Sequence, residues 1–191
     1  MIASFFLPLL LLFQVPGAGR PPQPAPSPRP AETQQTRPVP APSPSPDEPP
    51  VAVKRSVKVG GRTLNYTVTT GYIPIKNAAT GETEARIFYM AYTLDDPPAK
   101  RPLMFSFNGG PGSASVWLHL GALGPRRVKM LDDGLMPPPP YELVDNDQTW
   151  LTETDLVFID PVGTGYSRAT KAEFASKFFG VNGDIQSVGE F

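Results

Sequence analysis

Asn108-Gly109-Gly110-Pro111-Gly112 ends the apolar run Leu103-Met104-Phe105-Ser106-Phe107 and sets an amide side chain among three glycines. Glycine has no Cβ, so such a loop can take positive φ and let a ligand approach its N–H groups, as a site for an anion or a developing oxyanion requires. Pro111 fixes one φ and brings no donor, which leaves the Gly109 and Gly110 amides to face outward. The alternative reading of the same residues is a strand-to-helix turn that Asn108 caps through its own side chain. A second corner follows at Asp160-Pro161-Val162-Gly163-Thr164-Gly165-Tyr166-Ser167, after the apolar run Leu156-Val157-Phe158-Ile159. Continuous apolarity bounded by turn residues predicts a strand buried on both faces, as in a parallel sheet.

Other chemistry is limited. A G-x-S-x-G corner would hold a nucleophilic serine between strand and helix, and its nearest imitation is Gly165-Tyr166-Ser167-Arg168-Ala169. There a turn of Gly163, Thr164 and Gly165 separates Ser167 from its strand, so the serine is not expected to be a nucleophile. His119 is the sole histidine. It lies among Trp117, Leu118 and Leu120, precedes every plausible serine nucleophile, and is expected to be a partly buried helix residue and not the general base. No His, Asp or Glu cluster has metal-ligand spacing, and the glycine loop lacks the G-K-[ST] of a phosphate-binding loop, so neither metal nor cofactor is expected.

The elements that must position these corners begin near Val51. Val51, Val53, Val57 and Val59 alternate, Gly60-Gly61 follows, then Leu64, Tyr66 and Val68, a hairpin pattern. A further antiparallel pair is expected around residues 71–75 and 85–94, split by a turn at 77–81. A Pro-rich loop leads into the strand at 103–107. A short helix is expected at 115–123, with Trp117, Leu118, Leu120 and Leu123 on one face. Four prolines at 137–140 mark an irregular surface loop. Phe174, Phe178 and Phe179 lie at helical spacing, and residues 184–191 read as a helix with no stop signal.

The first fifty residues are of a different kind. Phe5, Phe6, Leu7 and Leu9 through Phe13 form an apolar run too short to span a bilayer, and residues 1–19 read as a signal peptide, although no Lys or Arg precedes Phe13. Residues 20–50 form a Pro-rich linker that cannot bury a core and favours an extended path. The rest, 51–191, is the folding unit. Such a leader predicts secretion or a periplasmic location, or a membrane-proximal one through the leader itself, with no transmembrane segment once the leader is cleaved. A net charge of −1 gives no reason to expect nucleic acid, and the chain has no cysteine.

Taken in order, N-G-G-P-G, L-G-P at 123–125, Asn146 with Trp150 four residues on, and D-P-V-G-T-G-Y-S resemble the serine carboxypeptidase family of α/β-hydrolases over residues 102–191. Two departures are visible: Ser113 stands where many relatives have Cys, and Asp160-Pro161 is one residue tighter than the D-x-P of many members. The resemblance implies an α/β mixed sheet in which N-terminal antiparallel strands lead into parallel ones, the chain stopping before the nucleophile elbow, with Ser, Asp and His of the triad after position 191. It implies release of C-terminal residues from peptides through an acyl-enzyme, with the 191-residue chain alone inactive. By the same carry-over Asn108 binds the substrate's free α-carboxylate and the Gly110 N–H is an oxyanion donor. Gly109 and Pro111 hold the loop, and Asp160, Gly163, Gly165 and Tyr166 wall the pocket. A non-catalytic exported peptide-binding module and an acyltransferase of the same family are the competing readings.

Overall fold

The computed structural model describes residues 48–109 and 112–191. The expected signal peptide, most of the Pro-rich linker, Gly110 and Pro111 lie outside the described residues. The first strand, β1 (Val51–Val59), turns at Gly60 and Gly61, whose φ values of 53° and 78° are those of the two central residues of a hairpin turn. Strand β2 (Arg62–Lys76) returns antiparallel, with Val57 opposite Leu64 and Val53 opposite Val68. It continues unbroken through Gly71, so the strand expected around Leu64, Tyr66 and Val68 and the one expected at 71–75 are one. Strand β3 (Thr83–Leu94) pairs antiparallel with β2 over nearly its full length.

Two further strands complete the sheet centre. Strands β4 (Leu103–Ser106) and β7 (Asp155–Ile159) pair in parallel, with Ser106 opposite Phe158, and β7 pairs antiparallel with β3. The sheet order is β1-β2-β3-β7-β4, with the short β8 (Arg168–Ala169) also on β3. This is the expected mixed sheet, antiparallel strands leading into a parallel pair. Strand β7 has neighbours on both edges and four of its five residues are buried, which accounts for its unbroken apolar sequence. Strand β4 is an edge strand, and its Leu103 and Phe105 remain about half exposed.

Period-2 alternation divides the sheet between two cores. One face carries Ile75, Ala85, Ile87, Val157 and Ile159, packed on Phe174 and Phe178. Those phenylalanines come from a 3-10 helix at Ala172–Phe178, and helix α2 (Val181–Gly189) adds Val188. The other face carries Val57, Tyr66, Tyr92, Leu156 and Phe158, covered by Leu118, Leu123 and Leu151. Leu118 ends the one-turn helix α1 (Val116–Leu118), which passes into a π-helical turn at His119–Leu123. Helix α1 does not present the expected face: Trp117 is 68% exposed, and His119 takes the inward place.

Long-range polar ties hold these layers in register. Asn146, buried, donates from Nδ2 to the carbonyls of Ala122 and Gly124 at 2.7 and 2.8 Å and accepts the Gln148 N–H at 3.1 Å. Thr149 Oγ1 donates to Leu123 O at 2.9 Å. The L-G-P and N-x-x-x-W motifs are therefore two halves of one clamp. They flank a small hairpin, β5 (Arg126–Val128) with β6 (Leu143–Asp145), that local patterning did not predict. Near the start of β4, the buried Arg101 pairs with Asp155 at 2.7 Å and also reaches the Leu151 carbonyl.

Candidate functional site

Parallel pairing places the carboxyl ends of β4 and β7 side by side, so the Asn108 and Asp160 corners leave the sheet at the same level. Their continuations then diverge. The chain after β4 runs to α1 over the Tyr92–Phe158 face, whereas the chain after β7 runs to the Phe174–Phe178 face. Adjacent parallel strands whose connections depart to opposite faces leave a crevice between the loops, the place where open α/β sheets bind ligands.

The loop at 160–167 is built by local bonds. Thr164 N–H donates to Pro161 O at 3.0 Å, Ser167 N–H to Thr164 O at 2.9 Å, and Gly163 N–H to Ser167 O at 3.1 Å. Ser167 is fully buried; its Oγ donates to Asp160 O at 2.6 Å and accepts the Phe88 N–H at 2.8 Å. A hydroxyl so engaged stitches its loop to β3 and is not presented to a substrate, in line with the reading of Ser167 as structural. The Asp160 carboxylate is held between the two corners: Oδ1 accepts from Ser115 N–H at 2.8 Å and Oδ2 from Tyr166 N–H at 3.1 Å. Ser115, also buried, donates its Oγ to Ile159 O.

Two adjoining clefts open at the crevice. The first, of about 270 Å³, is lined by Asn108, Gly109, Pro161, Gly163, Phe179 and Asp184, among others. The second, of about 370 Å³, is more apolar and runs from Phe107 and Asn108 to Ile185 and Val188 of α2. Asn108 and Gly109 thus border both, and Gly163 borders the first. Asp160, Gly165 and Tyr166 are among the lining residues of neither: Gly165 lies under the Asp160 carboxylate, and the Tyr166 ring packs on Phe88 at 5.1 Å between centroids. Gly110 and Pro111 lie outside the described residues.

Asn108 is the informative wall. Its Oδ1 is buried without a hydrogen-bond partner, the only such side-chain oxygen or nitrogen among the described residues. A buried polar atom left unpaired costs about 1–3 kcal/mol, and as placed this oxygen is satisfied only by a group that donates. A half-turn about χ2 exchanges carbonyl and NH2, so the same corner can offer a donor to a carboxylate. Nothing lies within 4 Å of the place a Gly109 Cβ would occupy, which leaves the backbone there bare to the cleft. Among the described residues no group of His, Cys, Asp or Glu is placed to hold a metal ion.

His119 is remote from this chemistry in function. Its ring stacks on Phe158 at 4.6 Å between centroids, and Nε2 lies 2.5 Å from Tyr92 Oη. Burial lowers its pKa to about 4 and raises that of Tyr92, so a neutral imidazole and a neutral phenol share this hydrogen bond. A histidine so engaged belongs to the core contact and is among the lining residues of neither cleft. The second wall, Phe179 with Asp184 of α2, was not anticipated as part of a site; the aromatic pair before Gly180, at a helix start, was its one signal.

With this geometry in view, the sequence profile of the serine carboxypeptidase family matches residues 60–178, and the chain belongs to that family. It is similar to the pheromone-processing carboxypeptidase Kex1 of Saccharomyces cerevisiae, with 35% identity over 103 residues, 51% of this chain and 13% of the relative. It is also similar to serine carboxypeptidase-like 33 of Arabidopsis thaliana, with 32% identity over 51% of this chain and 19% of the relative. The crystal structure of a Kex1 prohormone-processing carboxypeptidase from Saccharomyces cerevisiae aligns with a TM-score of 0.44 and 33% identity, over 56% of this chain and 22% of that one. The matched part of the chain thus spans 13% to 22% of the length of these relatives.

Proposed function

We propose that this chain carries the substrate-carboxylate corner of an exported serine-type carboxypeptidase, which releases C-terminal residues from peptides through an acyl-enzyme. Asn108 hydrogen-bonds the free α-carboxylate of the peptide. Gly110 N–H donates to the oxyanion, an interaction worth about 3 kcal/mol of transition-state stabilisation where its geometry is right. Gly109, Pro111 and Gly163 shape the corner. Nucleophile and general base are groups other than Ser167 and His119, since both are committed to the fold. The proline-rich segment after the leader spaces the folded unit from the membrane or wall.

The observation that carries this reading is Asn108 itself, a residue that borders both clefts and whose Oδ1 has no hydrogen-bond partner. Its test compares binding of an N-acetyl dipeptide with a free C-terminus and of the matching C-terminal amide, by calorimetry. In wild type the acid binds more tightly, and Asn108→Ala reduces acid affinity about tenfold, with little change for the amide. Equal loss for both ligands would refute the assignment. A non-catalytic peptide-binding module is the second reading, favoured by the engagement of both Ser167 and His119. Hydrolysis of the dipeptide acid by a preparation that a serine-directed phosphonate inactivates would exclude it. Transfer of the acyl group to an added alcohol in preference to water would instead indicate an acyltransferase of the same family.

A further inference from the structure

Asp160 is 7% exposed, follows β7 directly, and yet faces no cleft. Each of its carboxylate oxygens accepts one backbone N–H, and the two donors belong to the two loops that bound the crevice: Ser115 at 2.8 Å and Tyr166 at 3.1 Å. Its main chain is equally engaged, N–H to Phe88 O at 3.1 Å and carbonyl to Ser167 Oγ at 2.6 Å. Gly165 has φ 45°, and a Cβ there would collide with the Asp160 carboxylate, so a glycine at 165 lets the loop close over this acid. Those two loops run to opposite faces of the sheet, and nothing in the β4–β7 ladder fixes their separation beyond Ser106 and Phe158.

We propose that Asp160 is the positioning residue of the site, a carboxylate staple that ties the exit of the Asn108 loop at Ser115 to the 160–167 loop and so sets where Asn108 stands relative to Gly163. This rests on the reading of Asn108 as the carboxylate ligand. Charge-assisted bonds to backbone N–H groups are shorter and about twice as strong as neutral ones, which suits a carboxylate to holding two turns that the Ser115 Oγ–Ile159 O bond also joins. An amide in its place offers one acceptor oxygen and turns its NH2 against the second N–H, so Asp160→Asn keeps the volume and undoes the staple.

The test is NMR on the 191-residue chain labelled with 15N and 13C. Wild type is expected to give hydrogen-bond scalar couplings from the Ser115 and Tyr166 amide nitrogens to Asp160 Cγ. In Asp160→Asn one of these amides exchanges with solvent at least tenfold faster, the Asn108 side-chain NH2 signals move, and affinity for the N-acetyl dipeptide acid falls about tenfold. The His119 ring signals stay in place and report an intact core. Absence of both couplings in wild type overturns the proposal even where the variant fails to fold, as does an Asp160→Asn protein with unmoved Asn108 signals and full acid affinity. A wild-type chain that binds acid and amide equally refutes the Asn108 reading instead, and the couplings and Asn108 signals then still decide the staple.

Discussion

Asn108 and Asp184 border the same two clefts, one from the loop after β4 and the other from α2. On the proposed reading, a peptide carboxylate at Asn108 would share these clefts with the Asp184 side chain. At separations near 4 Å in a solvated cleft the repulsion of two like charges is on the order of 1 kcal/mol. Asp184→Asn is accordingly expected to tighten binding of the dipeptide acid by about fivefold while leaving the amide unchanged, a comparison calorimetry can make. The His119–Tyr92 contact makes a second residue-scale prediction. The histidine pKa falls from an unfolded value near 6.5 to about 4 in the fold, so between these values the unfolded chain binds more protons. Stability from this site is complete above about pH 6.5 and is lost as pH falls towards 4, about 3 kcal/mol in all. Denaturant melts of wild type should weaken over that window, and those of His119→Phe should not follow the same slope.

At the scale of elements, the Asn146 clamp and the Arg101–Asp155 pair decide how the connections lie on the sheet. Asn146 makes three side-chain hydrogen bonds while buried, so Asn146→Ala strands the Ala122 and Gly124 carbonyls and is expected to cost about 3 kcal/mol in denaturant unfolding. The loss should extend to the π-helical turn at His119–Leu123, visible as faster amide exchange there, because that turn is held from its far end by the same clamp. Both motifs were legible as motifs in the sequence. Their joint purpose was not, since it arises only when residues some 24 apart are brought together.

Across the whole molecule, the contrast between β7 and β4 is one of position in the sheet. Both are short apolar runs, yet β7 is enclosed and among the described residues β4 has one free edge, with Leu103 at 54%, Phe105 at 53% and Phe107 beyond it at 48% exposure. Half-exposed aromatics on an open strand edge are a template for pairing with another chain. Self-association that rises with concentration is expected in light scattering, and Phe105→Lys should suppress it; a monodisperse wild-type preparation at high concentration would contradict this. Among the described residues no helix is long and apolar enough to cross a membrane.

What local pattern carries, the sequence determined alone: the Gly60-Gly61 hairpin, the buried β7 run and the two glycine corners. Each depends on backbone period, turn chemistry or residue inventory, which neighbours along the chain specify. Tertiary structure decided the partners. The 160–167 corner was legible as a loop, but Asp160 reaches Ser115, 45 residues away, only because β4 and β7 lie adjacent and parallel. The same pairing sends one loop to each face of the sheet and opens the crevice, and α2 supplies its second wall. A carboxylate's role follows from which N–H groups converge on it, and that convergence is set by strand order, a property of the assembled sheet that no local window of the sequence contains.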